Sequence, residues 1–141
     1  SPSRARFLQE LGHDIHAGKT AMNQGLTNLV AGSFRMALGF FNEALSVATE
    51  SEQLHLWRAR CSLAEREYGM VRADVAAILD RINPLSAEAL YLLGLALVRI
   101  LGRVDDGIQN LELCLRWEFG HKECGPAVRK ARRLRRHWPA A

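Results

Sequence analysis

The sequence predicts an all-α superhelix of three helix-turn-helix repeats, with a short N-terminal helix and a C-terminal capping helix. Three observations predict it. A small residue recurs at Gly25, Ala59 and Gly94, 34 and 35 residues apart, each inside a stretch with helical apolar spacing. Nine residues beyond each stands a bulky residue at a turn: Phe34, Tyr68 and, with one residue inserted, Val104. The register then continues in all three units through Ala37, Val71 and Gly107, through Phe41, Val75 and Leu111, and through Ala44, Ile78 and Cys114. A fixed period of this length marks a solenoid, because one helix pair cannot bury its apolar face alone and stacking on a neighbour covers it.

This pattern of small and bulky positions resembles the tetratricopeptide-repeat (TPR) motif, whose period is about 34 residues in two antiparallel helices. The small residue on the first helix lets the second approach closely, and Phe41 and Leu111 fill the space between one repeat and the next. Gly32 and Gly102 fall at turns, where a left-handed residue is easy only for glycine. The second repeat has Arg66-Glu67 there, which predicts a longer or stiffer turn. Asn83-Pro84 ends the second unit, since proline does not continue a helix. The predicted helices run over about 20–31 and 34–49, 52–65 and 68–82, 86–100 and 104–118. Residues 1–18 form an N-terminal segment, 19–120 the repeats (about 19–51, 52–84 and 85–120), and 121–141 a capping helix with a basic end. In the first segment Phe7, Leu8, Leu11 and Ile15 share one face and are expected to cover the open end of the stack. In the last, Ala127, Val128, Ala131 and Leu134 are expected inward, with Gly125-Pro126 marking the first turn.

The bulk composition, 48% apolar and 24% charged, is that of a globule with a core. The richest apolar run, Ala89 to Leu101, already contains Arg99, so no membrane span is expected. The chain starts at Ser1 with no apolar signal core, which predicts a piece of a longer protein. Its formal charge of +4 comes from Arg129, Lys130, Arg132, Arg133, Arg135 and Arg136; without them the balance turns negative. Cations at a helix C-terminus complement the macrodipole. The competing reading is a nucleic-acid or membrane-surface patch, but Trp138 is the one aromatic near it, so no nucleic-acid partner is expected.

Catalysis needs convergent groups, and the sequence offers none, so the chain is not read as an enzyme. His13 and His16, and likewise His121 and Cys124, have the spacing of two metal ligands but no third nearby in sequence, so neither a metal nor a cofactor is expected. The eleven glycines are scattered over repeat and turn positions, not gathered in a phosphate loop. Cys61 falls inside the second repeat as an inert buried thiol. Cys114 and Cys124 lie ten residues apart across a helix-to-helix turn, a spacing that allows either a disulfide or two reduced core cysteines.

In a TPR stack the first helix of each repeat lines the concave face, where extended peptides lie. The phase places Met22 and Leu26, Leu56 and Arg60, and Tyr91 and Leu95 on that face as a mostly apolar peptide-binding row. TPR domains that read chaperone tails carry a clamp of lysine, asparagine and arginine for a C-terminal carboxylate. The matching positions here are Met22, Leu26, Trp57, Glu88 and Leu92, so the clamp is absent. An apolar groove suits an apolar segment of a non-native or helical partner, unless neighbouring parts of the chain cover it.

Beyond the general motif, residues from about Ala21 to Leu134 resemble the repeats of the J-domain co-chaperones of the endoplasmic reticulum lumen, also known as inhibitors of the interferon-induced protein kinase. The resemblance rests on Leu56-Trp57-Arg58-Ala59-Arg60-Cys61, on Leu85-Ser86-Ala87-Glu88-Ala89, and on Cys114-Leu115-Arg116 with His121-Lys122-Glu123-Cys124. It implies a disulfide between Cys114 and Cys124, and a TPR subdomain of a larger protein whose J-domain, outside this chain, stimulates a BiP-type chaperone. Two departures stand out: the family's partner for Cys61 would fall at Ala48, leaving Cys61 free, and Gly125-Pro126 interrupts the family's continuous helix. The implied compartment is the endoplasmic reticulum lumen; the alternative is the cytoplasm, because a related cytosolic J-domain co-chaperone shares similar last-repeat residues. The function expected is a co-chaperone module that binds unfolded or partly folded polypeptide, or a regulatory partner. The alternative is a structural scaffold for a fixed partner.

Overall fold

A computed structural model describes residues 2–100 and 102–137. Ser1, Leu101 and Trp138 with the three residues after it lie outside the described residues. The chain forms α1 (Pro2–Val30), α2 (Phe34–Val47), α3 (Glu52–Ala64), α4 (Tyr68–Ala77), α5 (Ala87–Val98), α6 (Val104–Trp117) and α7 (Cys124–His137). Each helix packs on the next in sequence, and α3 also touches α5.

The repeating small and bulky positions become helix crossings. A Cβ at Gly25 would lie 2.6–3.0 Å from the Phe41 ring, and one at Gly94 would lie 2.7–2.8 Å from Leu111. Ala59, Ala37, Phe41, Val71 and Leu111 are each 0% exposed. At the starts of α3 and α5, Ser51 and Ser86 accept the backbone N–H of Leu54 and Ala89, both at 3.2 Å. Each cap satisfies one of the helix's orphan donors.

The turn between α3 and α4 does not have the extra length that was one of the two expectations. It is no longer than its counterpart between α1 and α2: Glu67 donates to the Ser62 carbonyl at 2.8 Å, as Ser33 does to Asn28 at 2.8 Å. Arg66 adopts φ 61°, beside φ 79° at Gly32 and φ 80° at Gly102. The stack fixes the turn, and the arginine accepts a left-handed conformation costing about 1–2 kcal/mol. At the end of α4 the chain makes a π-helical turn over Ile78–Ile82, closed by Asn83 N–H to the Ile78 carbonyl at 2.7 Å. Asn83 is then extended, as a residue before proline prefers.

Two end segments correct the expectations. The predicted N-terminal helix is not separate, because α1 runs unbroken through Gly18 and Lys19 to Val30. Nor does it cover the stack: Phe7, Leu8, Leu11 and Ile15 are exposed. Gly18 sits against Val47, the last residue of α2, so the turns of α1 before it outrun their packing partner. At the other end, Val128 and Ala131 are buried, whereas Leu134 is exposed. Arg132 pairs with Glu112 at 2.9 Å and Arg135 with Asp105 at 3.2 Å, so two of the basic residues lie along α6. Such exposed pairs contribute at most about 1 kcal/mol each. Helix α7 begins at Cys124, placing Gly125-Pro126 in its first turn.

Cys114 on α6 and Cys124 on α7 face each other with Sγ atoms 2.16 Å apart and Cα atoms 6.5 Å apart, a disulfide pairing. Cys61 is free and buried, and burial with the nearby Glu65 carboxylate pushes its thiol up to about 11. The unfolded, unreduced chain should therefore titrate one thiol with an aromatic disulfide reagent and three after reduction. In the folded chain at about pH 8, Cys61 should stay silent, since the thiolate is the nucleophile. Three thiols without reductant would overturn the pairing.

Candidate functional site

The predicted groove residues lie on α1, α3 and α5, the first helices of the three pairs. Met22 and Leu26 are half-buried, packed with Trp57 against the cluster that contains Phe41 and Leu54. Tyr91 and Leu95 are half-buried against the next cluster. Leu56 is the exception: it is buried in the core among Ala59, Val71 and Leu92 and is not offered to a ligand. Helix α3 is flanked by α2, α4 and α5, which closes over Leu56, while the adjacent Trp57 stays half-exposed with its ring 5.9 Å from that of Phe41. An apolar cavity of about 280 Å³ opens beside Met22, lined also by Ile15, Gly18, Val47 and Leu54. A larger hollow of about 620 Å³ lies against α4 and contains none of the predicted groove residues.

The α5 end of this face is polar. Arg60 on α3 bonds Glu88 on α5 through Nη2 and lies 3.8 Å from Glu123 in the turn between α6 and α7. His121, in the same turn, accepts the backbone N–H groups of Glu123 and Cys124 on Nδ1, both at 3.2 Å. These partners place its proton on Nε2, which donates to Glu88 Oε2 at 3.1 Å. The His121 ring lies 5.5 Å from that of Tyr91. Burial, reinforced by the hydrogen bond to Glu123, pushes the Tyr91 phenol up to about 12. Arg60 is thus held by carboxylates of the chain, and three separate elements meet at one end of the face.

None of the carboxylate-clamp positions is a lysine, arginine or asparagine. Leu92 is 1% exposed inside the core, and Glu88 is engaged by Arg60 and His121. Trp57, Met22 and Leu26 present mainly apolar surface.

The chain superposes on solved TPR domains. The TPR domain of Arabidopsis OM64 matches with a TM-score of 0.76 and 18% identity, over 85% of this chain and 98% of that one. The second TPR domain of human RPAP3, solved in complex with the HSP70 peptide SGPTIEEVD, matches at 0.72 and 20%, over 86% and 98%. Yeast Sti1 TPR2B, solved as a complex with pHsp70, matches at 0.75 and 14%, over 85% and 99%. The fold is that of a TPR domain. No protein family profile and no curated protein matches the sequence.

The polar corner is not legible in the sequence pattern. In the sequence His121 is marked by its spacing to Cys124, Glu88 by a clamp position, and both by the family resemblance, none of which joins them. Their meeting with Arg60 spans separations of 28 and 33 residues. Such separations connect neighbouring repeats, and no helical spacing reports them.

Proposed function

We propose that this TPR domain is a protein-binding module that takes an apolar polypeptide segment along the face formed by Met22, Leu26, Trp57, Tyr91 and Leu95. The observation that carries the reading is the substitution of apolar, half-buried side chains for the cationic clamp on an otherwise ordinary TPR stack. A half-buried apolar row gains about 25 cal/mol per Å² when a partner removes it from water. The clamp positions offer a terminal carboxylate no cation. The partner class that fits is an unfolded or partly folded polypeptide, or an apolar helix of a regulatory protein, and the role is that of a co-chaperone, not of an enzyme.

The resemblance around Cys114 and Cys124 supports a finer reading: a subdomain of a J-domain co-chaperone working beside a BiP-type chaperone in the endoplasmic reticulum lumen. The paired sulfurs suit an oxidising compartment.

Purified domain should slow the aggregation of a chemically denatured client. Met22→Glu with Leu26→Glu should abolish this while the helical circular dichroism stays unchanged. A peptide ending in the EEVD sequence should show no saturable binding. Tight binding of that peptide would overturn the apolar reading, and an active double variant would move the site off this face. A stoichiometric fixed partner without client binding would favour a scaffold.

A further inference from the structure

We infer that Cys114, His121 and Cys124, when the cysteines are reduced, form a binding site for a borderline-soft divalent cation such as zinc. Of these three, the sequence gives His121 and Cys124 ligand spacing; the fold supplies the third group by docking α7 on α6. One ligand atom from each of the three residues lies within 4.8 Å of the others. Both cysteines are 0% exposed, and the His121 side chain is 8% exposed, so the cluster is largely shielded from water. Two thiolates and an imidazole are ligands that zinc takes, and three protein ligands leave a fourth position for water.

The strongest support is the second partner of His121. Glu88 Oε2 lies 3.1 Å from Nε2, the carboxylate–histidine arrangement that fixes a ligand ring and its tautomer. With the proton on Nε2, the Nδ1 lone pair is unprotonated and accepts the backbone N–H groups of Glu123 and Cys124, both at 3.2 Å. A cation would take over that lone pair.

Bridged sulfurs are not thiolates, so metal and disulfide exclude one another. A thiol reductant supplies two electrons and two protons to the S–S bond, giving two thiols and the reductant's own disulfide. A divalent cation then releases both thiol protons to solvent as two metal–sulfur bonds form. Either link ties α6 to the start of α7 and holds His121 and Glu123 at the polar end of the groove. The cap would therefore be fastened in oxidising and in reducing compartments alike.

The test is a Co²⁺ titration of the full chain, reduced with a phosphine that is then removed under anaerobic conditions, followed by absorption and circular dichroism. One Co²⁺ per chain should bind with a thiolate-to-cobalt charge-transfer band, and Zn²⁺ should bleach it. The unreduced chain should show no band, and Cys61→Ala should bind as the unaltered chain does. His121→Ala should weaken binding at least ~10-fold, and Glu88→Gln by about 10–100-fold, the range for removing such an outer partner. Three results would overturn the site: no band in the reduced chain, a band that survives Cys114→Ser, or equal affinity in His121→Ala. If reduction alone loosens the helices, failure of Co²⁺ to restore the circular dichroism would also overturn it.

Discussion

Replacing Asp74 by alanine is expected to lower the stability of the domain by about 3–5 kcal/mol, the range for removing one member of a buried charged pair. Asp74 on α4 is 1% exposed and closes α3 against α4. Arg58 grips it with Nε at 3.2 and 3.0 Å and with Nη2 at 2.6 Å. His55, itself buried, lies 2.7 Å from the same carboxylate through Nδ1 and 2.9 Å from the Thr49 carbonyl through Nε2. Both ring nitrogens face acceptors, and Asp74 is the anion that compensates the Arg58 guanidinium and lies against the His55 ring. Without it, the buried His55 ring and the half-buried Arg58 guanidinium lose their partner, and an unsatisfied buried group costs more than its hydrogen bond contributed. Urea unfolding checks this, with Asp74→Asn as the milder comparison because it keeps an acceptor for Arg58. A loss below about 1 kcal/mol for Asp74→Ala would show that the network does not join the two helices.

Gly107→Ala is the second change with a large expected effect, because the methyl has no room. A Cβ there would sit 2.5 Å from Val98 Cγ1, 2.8 Å from the Val98 backbone nitrogen and 2.9 Å from the Gly94 carbonyl oxygen. Two of these neighbours are backbone of α5, so no rotamer change relieves them and α5 must move away from α6. That movement also loosens Leu111, which rests on Gly94. Overpacking of this kind costs about 1–3 kcal/mol, set against a helix-propensity gain of about 1 kcal/mol for alanine over glycine. We expect the upper end, a net loss of about 2 kcal/mol and a fall in Tm of roughly 5–10 °C. Gly39→Ala is the internal control: Gly39 is exposed inside α2 with nothing within 4 Å, so the same substitution should stabilise by about 0.5–1 kcal/mol. If both variants melt alike, α5 and α6 do not cross at this contact.

By itself the sequence determined the helix pairs and their crossing points. Gly25, Ala59 and Gly94 identify them because each crossing joins positions only 16 or 17 residues apart, and the same contact recurs in every repeat. It also located the Gly32 and Gly102 turns and the buried Cys61. Only the tertiary structure decided that Leu56 is covered while Trp57 is offered, since that depends on how α3 sits between its flanking helices. The exposed face of α1, expected as a cap, reflects where α2 happens to end. Arg66 in a left-handed turn shows the stack overriding a local preference. Above all, Arg60, Glu88, His121 and Cys114 come together from different repeats and from the last turn. Their distances depend on the superhelical rotation between neighbouring pairs, and a periodic pattern of small and bulky residues fixes the contact within a pair but not that rotation.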